Sequence, residues 1–208
     1  MGIKMGTPKQ SAPQDANLTV DTASFNGMSF SVGNEEGTPR DLSFNNTGTR
    51  MFIVGTDNNT VFQYTLSTPY DVSSASFSNT SFNASSQDGN TTSVAFNSTG
   101  LSMFILGNNN DTVFQYSLGS AYDVSTASFA NKSADVSAAG TGLTSLAFNA
   151  TGTRMYVIGI GTNIVNQFIL STPFDVSTAS LSANTFDVSA QASSTRQLAF
   201  NSIGSRMF

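Results

Sequence analysis

The sequence predicts an all-β protein, a β-propeller made of four-stranded antiparallel blades. A repeat of 52 residues runs through nearly the whole chain, which is typical of repeat architectures. Within one repeat, short apolar runs alternate with turn residues, and no segment keeps a helical period over three turns. One of these runs is apolar on both faces. Together these three observations indicate small sheets that are stable only when they are stacked on one another.

Columns of recurring residues, spaced 52 positions apart, define the repeat. Residues 41–77 and 93–129 are identical at 22 of 37 positions. A Phe, the Asn that follows it, a Gly and a Met recur in all four copies. They are Phe44, Phe96, Phe148 and Phe200, Asn45, Asn97, Asn149 and Asn201, Gly48, Gly100, Gly152 and Gly204, and Met51, Met103, Met155 and Met207. The column of Gln63, Gln115 and Gln167 recurs three times.

Each repeat is predicted to hold four strands, A to D. In the first complete repeat we expect them near 41–46, 50–55, 60–66 and 75–83. The loops between A and B and between B and C are rich in Gly, Asn and Asp, which predicts tight antiparallel hairpins. Gly48 lies where the A–B loop needs a left-handed residue.

Strand B determines how the repeats must associate. Its residues Met51, Phe52, Ile53 and Val54 are apolar without alternation, so both faces of the strand must be covered. A sheet with such a strand cannot be stable alone, so we expect each repeat to pack between its neighbours as a propeller blade.

The chain is predicted to consist of an extended N-terminal arm, residues 1–17, followed by propeller repeats over 18–208. The arm is rich in Pro, Gln, Ser and Lys, a composition that cannot build a core. The predicted blades are a partial blade at 18–40, three blades at about 41–92, 93–144 and 145–196, and a partial blade at 197–208.

Strands A, B and D are expected four times, with strand D first near residue 25, but strand C only three times. A closed ring pairs or covers every edge. We therefore expect these residues to be the N-terminal part of a longer propeller, truncated inside strand B. The alternative is a four-bladed ring that is closed imperfectly or completed by a neighbouring subunit.

The amino-acid composition excludes several classes of partner and of catalytic or metal site. Only 10% of the residues are charged, the formal net charge is -5, and the sequence has no Lys/Arg cluster, so nucleic acid is not expected as a partner. The absence of Cys and His removes the commonest general base and metal ligands. We predict no catalytic, cofactor-binding or metal-ligating residue and no cofactor. No run is apolar enough for a signal peptide or a membrane span.

Two sets of acidic and amide residues allow alternative interpretations. Asp71, Asp123 and Asp175 could be calcium ligands, but one Asp per repeat without a calcium-loop motif favours a carboxylate that binds turn amides after Tyr70, Tyr122 and Phe174. The hairpin tips could bind glycans or calcium or simply form turns. These tips are Asp57, Asn58 and Asn59, and Asn108, Asn109, Asn110 and Asp111. On strand C we expect Tyr64, Tyr116 and Phe168 in the core.

Residues 146–170, LAFNATGTRMYVIGIGTNIVNQFIL, resemble the YVTN and lactonase-like β-propeller repeat. That repeat combines a strand ending in a turn with Gly, an aromatic strand and an Asn-rich hairpin. The resemblance covers about 18–208 and implies the propeller fold. Because the sequence has no His and no unrepeated acidic cluster, we predict that the protein is not an enzyme.

Asn/Ser/Thr-rich propeller repeats of this kind occur in bacteriophage virion proteins and bacterial surface proteins. The resemblance therefore implies that this protein belongs to one of these two classes. We expect a virion structural or attachment protein, such as a tail fibre, spike or capsid-attached knob. Residues 1–17 would bind other virion proteins, and the propeller would bind a host-surface glycan or protein. The sequence does not decide whether the protein forms homo-oligomers. The alternatives are a bacterial extracellular surface or matrix adhesion protein and, third, a lactonase-like enzyme.

Overall fold

A computed structural model of the protein describes residues 23–201 and 204–208. The described residues form three four-stranded antiparallel sheets, which we call blades 1, 2 and 3, and the strand order within each sheet follows the chain. Blade 1 contains β1 (Pro39–Phe44), β2 (Arg50–Gly55), β3 (Thr60–Leu66) and β4 (Ala75–Asn83). Blade 2 contains β5 (Thr91–Phe96), β6 (Ser102–Gly107), β7 (Thr112–Leu118) and β8 (Ala127–Asp135). Blade 3 contains β9 (Leu143–Phe148), β10 (Arg154–Gly159), β11 (Ile164–Leu170) and β12 (Ala179–Asp187).

The propeller-like fold with four-stranded blades is confirmed, and strands B, C and D of the first repeat have the predicted bounds. Strand A was predicted two residues too late, because Asn45 already belongs to the turn. Its side-chain oxygen accepts a hydrogen bond from the Arg50 amide at 2.9 Å, which fixes the loop rather than the strand. In the part of the chain that is described, no helix is long or apolar enough to cross a membrane.

Strand B is buried on both faces, as predicted. Phe52 of β2 and Phe104 of β6 are fully buried, and neighbouring blades share the clusters that contain them. Burial of each such ring contributes about 1.5–3 kcal/mol relative to an exposed ring. Tyr64, Tyr116 and Phe168 lie in the core, also as predicted. The packing of blade on blade is therefore the main source of apolar burial.

The glycine of the A–B loop is required by a close contact as well as by its backbone angle. Gly100 has a φ of +71°, and a Cβ built there would lie 2.2 Å from a ring carbon of Tyr122. Gly48 and Gly152 have the same relation to Tyr70 and Phe174. In each of these three repeats, the aromatic ring therefore occupies the space that a side chain at the glycine position would need.

The recurring glutamine joins each blade to the next. Gln63 accepts a hydrogen bond from the Val124 amide at 3.2 Å, and Gln115 accepts one from the Val176 amide at 3.1 Å. In blade 3, Gln167 instead donates to the Ser182 hydroxyl of its own blade. In blades 1 and 2 the recurrence of this glutamine is therefore explained by a hydrogen bond to the next blade, a partner that the periodicity alone did not identify.

The two partial blades differ from each other. In the last repeat, Phe200 bridges Met207 as Phe44 pairs with Met51, and Ala199 and Phe208 exchange backbone hydrogen bonds at 2.9–3.0 Å, so the A–B pairing of the complete blades is present. Residues 23–31, where strand D near residue 25 was predicted, contain no strand. In every complete blade strand D pairs with strand C, and among the described residues no strand C lies beside residues 23–31. Phe30 nevertheless packs edge-to-face on Tyr64, centroids 5.5 Å apart, as Phe82 packs on Tyr116.

The four repeats surround one axis. Ser93 donates to the carboxylate of Asp41, and the Leu146 and Leu198 amides donate to the hydroxyls of Ser93 and Ser145. Gln197 donates back to Asp41, which lies 156 positions earlier. Asp41, Ser93, Ser145 and Gln197 occupy one column of the repeat. This column therefore joins the last described repeat to the first. The arm at 1–17 and the first five residues of the partial blade lie outside the described residues.

Candidate functional site

A cavity of about 360 Å³ opens on the axis where β1, β5 and β9 begin. We call it the axial basin. One column of the repeat contributes a residue from every copy, namely Arg40, Thr92, Thr144 and Arg196. The remaining lining residues lie at the start of β1 and β9, in the loops that precede β5 and β9, and in the hairpins between strands B and C. They are Pro39, Asn90, Asn108, Gly142, Leu143 and Ile160.

A β-bulge at the start of β1, β5 and β9 turns the residues of this column towards the axis. In blade 1 the pairing with β2 passes from Pro39 to Asp41 and skips Arg40. Thr92 and Thr144 are skipped in the same way in blades 2 and 3. A bulged residue leaves the ladder and re-aims its side chain. Bulges of this kind are frequent beside functional sites.

The basin is positively charged. Arg40 and Arg196 are exposed, and within the described residues neither guanidinium forms a hydrogen bond or an ion pair. No Asp or Glu lines the cavity. The adjacent Asp41 is held below the basin by hydrogen bonds from Ser93, Val94 and Gln197. Burial raises the pKa of the Asp41 carboxyl.

Asn108 lines the basin and carries a hydrogen-bond acceptor that has no partner among the described residues. This acceptor, its side-chain oxygen, is buried. Buried polar atoms normally have a partner, and among the described residues this oxygen is free to accept a hydrogen bond. Thr92 and Thr144 donate their hydroxyls to the carbonyls of Leu106 and Ile158, which leaves oxygen lone pairs able to accept.

This arrangement can bind an anion that also carries hydroxyl groups. A guanidinium presents paired donors that match carboxylates, phosphates and sulfates. The Asn108 oxygen and the threonine oxygens can accept from ligand hydroxyls. The volume lies in the range of small-molecule sites. Among the lining residues there is no Asp, Glu, Lys, Tyr, His or Cys.

The repeated aspartates lie away from the basin and form turns. Asp71, Asp123 and Asp175 accept hydrogen bonds from the amides two residues later, at 3.0–3.1 Å, and so cap the short 3₁₀ turns that follow. This is the turn interpretation of the sequence analysis. Within the described ranges, no three His, Cys, Asp or Glu residues are grouped closely enough to hold a metal ion.

The hairpin tips also show the predicted turn chemistry. Asn59 and Asp111 have φ values of 50° and 45°, in the left-handed region. Asn58 donates to the Glu35 carbonyl at 2.9 Å and so ties one tip to the loop beside it. Asn108 is the one predicted tip residue that lines the axial basin.

Sequence reasoning missed the two arginines of the basin. Arg40 and Arg196 are 156 positions apart, and the linear sequence has no basic cluster. Their position in the repeat could have identified them, because both occupy the column of Thr92 and Thr144. Residues in one column of a closed repeat meet around the axis, so a basic pair in that column predicts a charged axial site.

No family model matches the chain, and no curated protein matches it. Two solved structures, from Bacteroides fragilis and Bacteroides uniformis, are named "putative 6-phosphogluconolactonase" and share its fold. Both are 12% identical to this chain, with TM-scores of 0.53 and 0.55. They cover 72% and 86% of this chain, which spans 39% and 50% of theirs. A third, the β-propeller domain of Myceliophteria thermophila Cps50, has a TM-score of 0.46 and 11% identity over 79% of the chain.

These likenesses correct one prediction. The absence of His and of an unrepeated acidic cluster predicted that the protein is not an enzyme. That exclusion was wrong, because the fold is shared with two proteins named as putative lactonases. At 12% identity the likeness shows the fold alone, and it links the chain neither to virions nor to bacterial surfaces.

Proposed function

We propose that the protein is a binding propeller whose axial basin holds an acidic, hydroxyl-rich ligand, the acidic sugar of a surface glycan. One observation carries this proposal. Two guanidiniums with no partner among the described residues line one cavity that no carboxylate lines, beside a buried oxygen that lacks a donor. An acidic sugar supplies both missing partners, because its anionic group pairs with the arginines and its hydroxyls donate to Asn108.

For the biological setting we propose attachment of a virion to a host surface, with residues 1–17 binding other virion proteins. The support is compositional, since only 10% of the residues are charged and amides and hydroxyls dominate. The alternative is an adhesion protein of a bacterial surface or matrix. Deletion of residues 1–17 should abolish incorporation into particles and leave the far-UV circular dichroism of the repeats unchanged. Incorporation without the arm would contradict the virion setting.

The ligand is tested by calorimetry with glucuronate and N-acetylneuraminate as probes and glucose as the neutral comparison. The acidic sugars should bind and glucose should not. Each hydrogen bond to a charged group is worth about 1.5–3 kcal/mol, so Arg40→Gln or Arg196→Gln should weaken binding by about 10- to 150-fold. Arg154→Gln, an arginine outside the basin, is the matched control. Equal binding of glucose, or unchanged binding by the double variant, would contradict the proposal.

A lactonase-like activity is the second candidate, and the names of the two similar structures favour it. A phosphorylated sugar lactone would fit the same basin, with its phosphate on Arg40 and Arg196. The test is a pH-stat assay of 6-phosphogluconolactone hydrolysis. A rate above that of buffer which falls in the double arginine variant would favour this candidate, whereas a rate equal to that of buffer would remove it.

A further inference from the structure

The axial basin has an apolar wall, which blade 3 supplies. We use this name for Gly142, which precedes β9, Leu143, the first residue of β9, and Ile160, in the hairpin between β10 and β11. Leu143 is fully buried, whereas Ile160 is 39% exposed. Ile160 therefore supplies the apolar side-chain surface of this wall that a ligand in the basin can cover.

Local structure holds Ile160 in this wall. Its amide donates to the Gly142 carbonyl at 3.0 Å, which joins the hairpin to the loop before β9. A Cβ built on Gly142 would lie 2.8 Å from Cγ1 of Ile160, and the φ of +64° also favours glycine at this position. The isoleucine side chain therefore occupies the space that the glycine leaves free.

The side chain at this position changes character along the repeat. Thr56, Asn108 and Ile160 occupy one column, and the amide of each donates to the loop that precedes strand A of its blade, at 2.9–3.3 Å. The backbone contact is the same in all three blades, so the turn itself does not require an apolar residue in blade 3. An apolar side chain among the polar groups of a small-molecule site suits an apolar group of the ligand.

The wall belongs to the blade that stands between Asn108 and Arg196. Consecutive repeats are joined in order around the axis, since strand A amides of blade 3 and of the last repeat donate to the hydroxyls of Ser93 and Ser145. Blade 3 is therefore flanked by blade 2, which carries Asn108, and by the repeat that carries Arg196. A ligand that pairs with Arg196 and donates to Asn108 crosses the apolar wall.

We propose that this wall binds the methyl group of an N-acetyl substituent, so that the basin selects N-acetylated acidic sugars over acidic sugars that carry only hydroxyls. The inference rests on the proposed function and narrows its ligand class. A ligand hydroxyl placed against Ile160 loses its water without gaining a hydrogen bond, which is unfavourable. An acetamido group buries a methyl there, which is favourable, and its N–H adds a donor for the Asn108 oxygen.

Calorimetry with two probes of equal charge tests this selectivity. N-acetylneuraminate carries the acetamido group, and deaminoneuraminate carries a hydroxyl in its place, with the same carboxylate on both. N-acetylneuraminate should bind about four- to tenfold more tightly, which is the gain expected for covering one methyl group in an apolar site. This comparison uses the unaltered protein, so it does not depend on the folding of a variant.

A substitution in the wall tests where the selectivity originates. Ile160→Thr introduces the residue type found at position 56 and keeps the β-branch. It should reduce the preference for N-acetylneuraminate to less than about twofold without weakening the binding of deaminoneuraminate, because the methyl contact is lost. Ile169→Thr is the matched control, since Ile169 is 38% exposed in β11 and lies outside the basin. Both affinities should keep their wild-type values in this control.

The outcomes separate this inference from the proposed function. Equal affinities of the unaltered protein for the two probes, or a preference that persists in Ile160→Thr, would overturn the inference. Binding of both probes that Arg196→Gln weakens would still support the proposed function in that case. Binding of neither probe would overturn both.

Discussion

The contact between Gly100 and Tyr122 gives the sharpest test of the packing described above. Gly100→Ala adds a single methyl group in the loop between β5 and β6. Gly100 has a φ of +71°, and the new Cβ would lie 2.2 Å from the Tyr122 ring. The ring itself stacks on Phe52 of blade 1, so it cannot move without disturbing the blade boundary.

The expected loss is the sum of two effects. An L-residue in the left-handed region costs about 1–2 kcal/mol. Overpacking against a fixed side chain costs a further 1–3 kcal/mol or so. The free energy of unfolding should therefore fall by about 2–5 kcal/mol. Gly204→Ala is the matched control, because Gly204 has a φ of +69° with nothing within 4 Å of its added Cβ, so only the first cost applies.

Urea unfolding followed by circular dichroism and tyrosine fluorescence measures both variants, since the chain has five Tyr and no Trp. A double-mutant cycle with Tyr122→Ala separates the two effects, because removal of the ring should reduce the cost of Gly100→Ala to its backbone part. Equal losses for Gly100→Ala and Gly204→Ala, or a cost of Gly100→Ala that is unchanged without the ring, would refute the close-contact argument.

Two further predictions concern the blade boundaries and the axis. Gln115→Ala leaves the buried Val176 amide without its acceptor and should cost about 1–3 kcal/mol in urea unfolding, more than Gln167→Ala, whose amide bonds only within its own blade; equal losses would contradict the inter-blade role. Burial raises the pKa of Asp41 above 3.8, so stability should fall as the pH rises from about 3.8 through that raised value. Asp41→Asn should flatten this part of the profile of urea midpoint against pH, and an unchanged profile would show that Asp41 does not cause the slope.

Much of the fold could be predicted because its information is local and periodic. Strands B, C and D of the first repeat were found from apolar runs and turn residues, and the burial of Phe52 followed from a strand without polar alternation. Strand A was misplaced because Asn45 reads equally well as a strand end or a turn. Strand D near residue 25 failed for a different reason. It has the right side chains but no neighbouring strand to accept its hydrogen bonds.

The candidate sites were largely beyond sequence reasoning. Asn108 was identified as a tip residue, but Arg40 and Arg196 were not, since nothing local marks a residue as bulged towards an axis. The column of Gln63 and Gln115 was recognised as a repeat feature, but its partners lie 61 positions further along the chain.

By itself the sequence determined the kind of unit in this protein, an antiparallel sheet of four strands repeated every 52 residues. Hydrophobic periodicity and turn chemistry act between near neighbours in the chain, so they can be read without knowing where the units meet. The tertiary structure decided which residues come together at the axis and at the last blade boundary. That choice depends on how the blades pack against one another, which no local pattern in the sequence encodes.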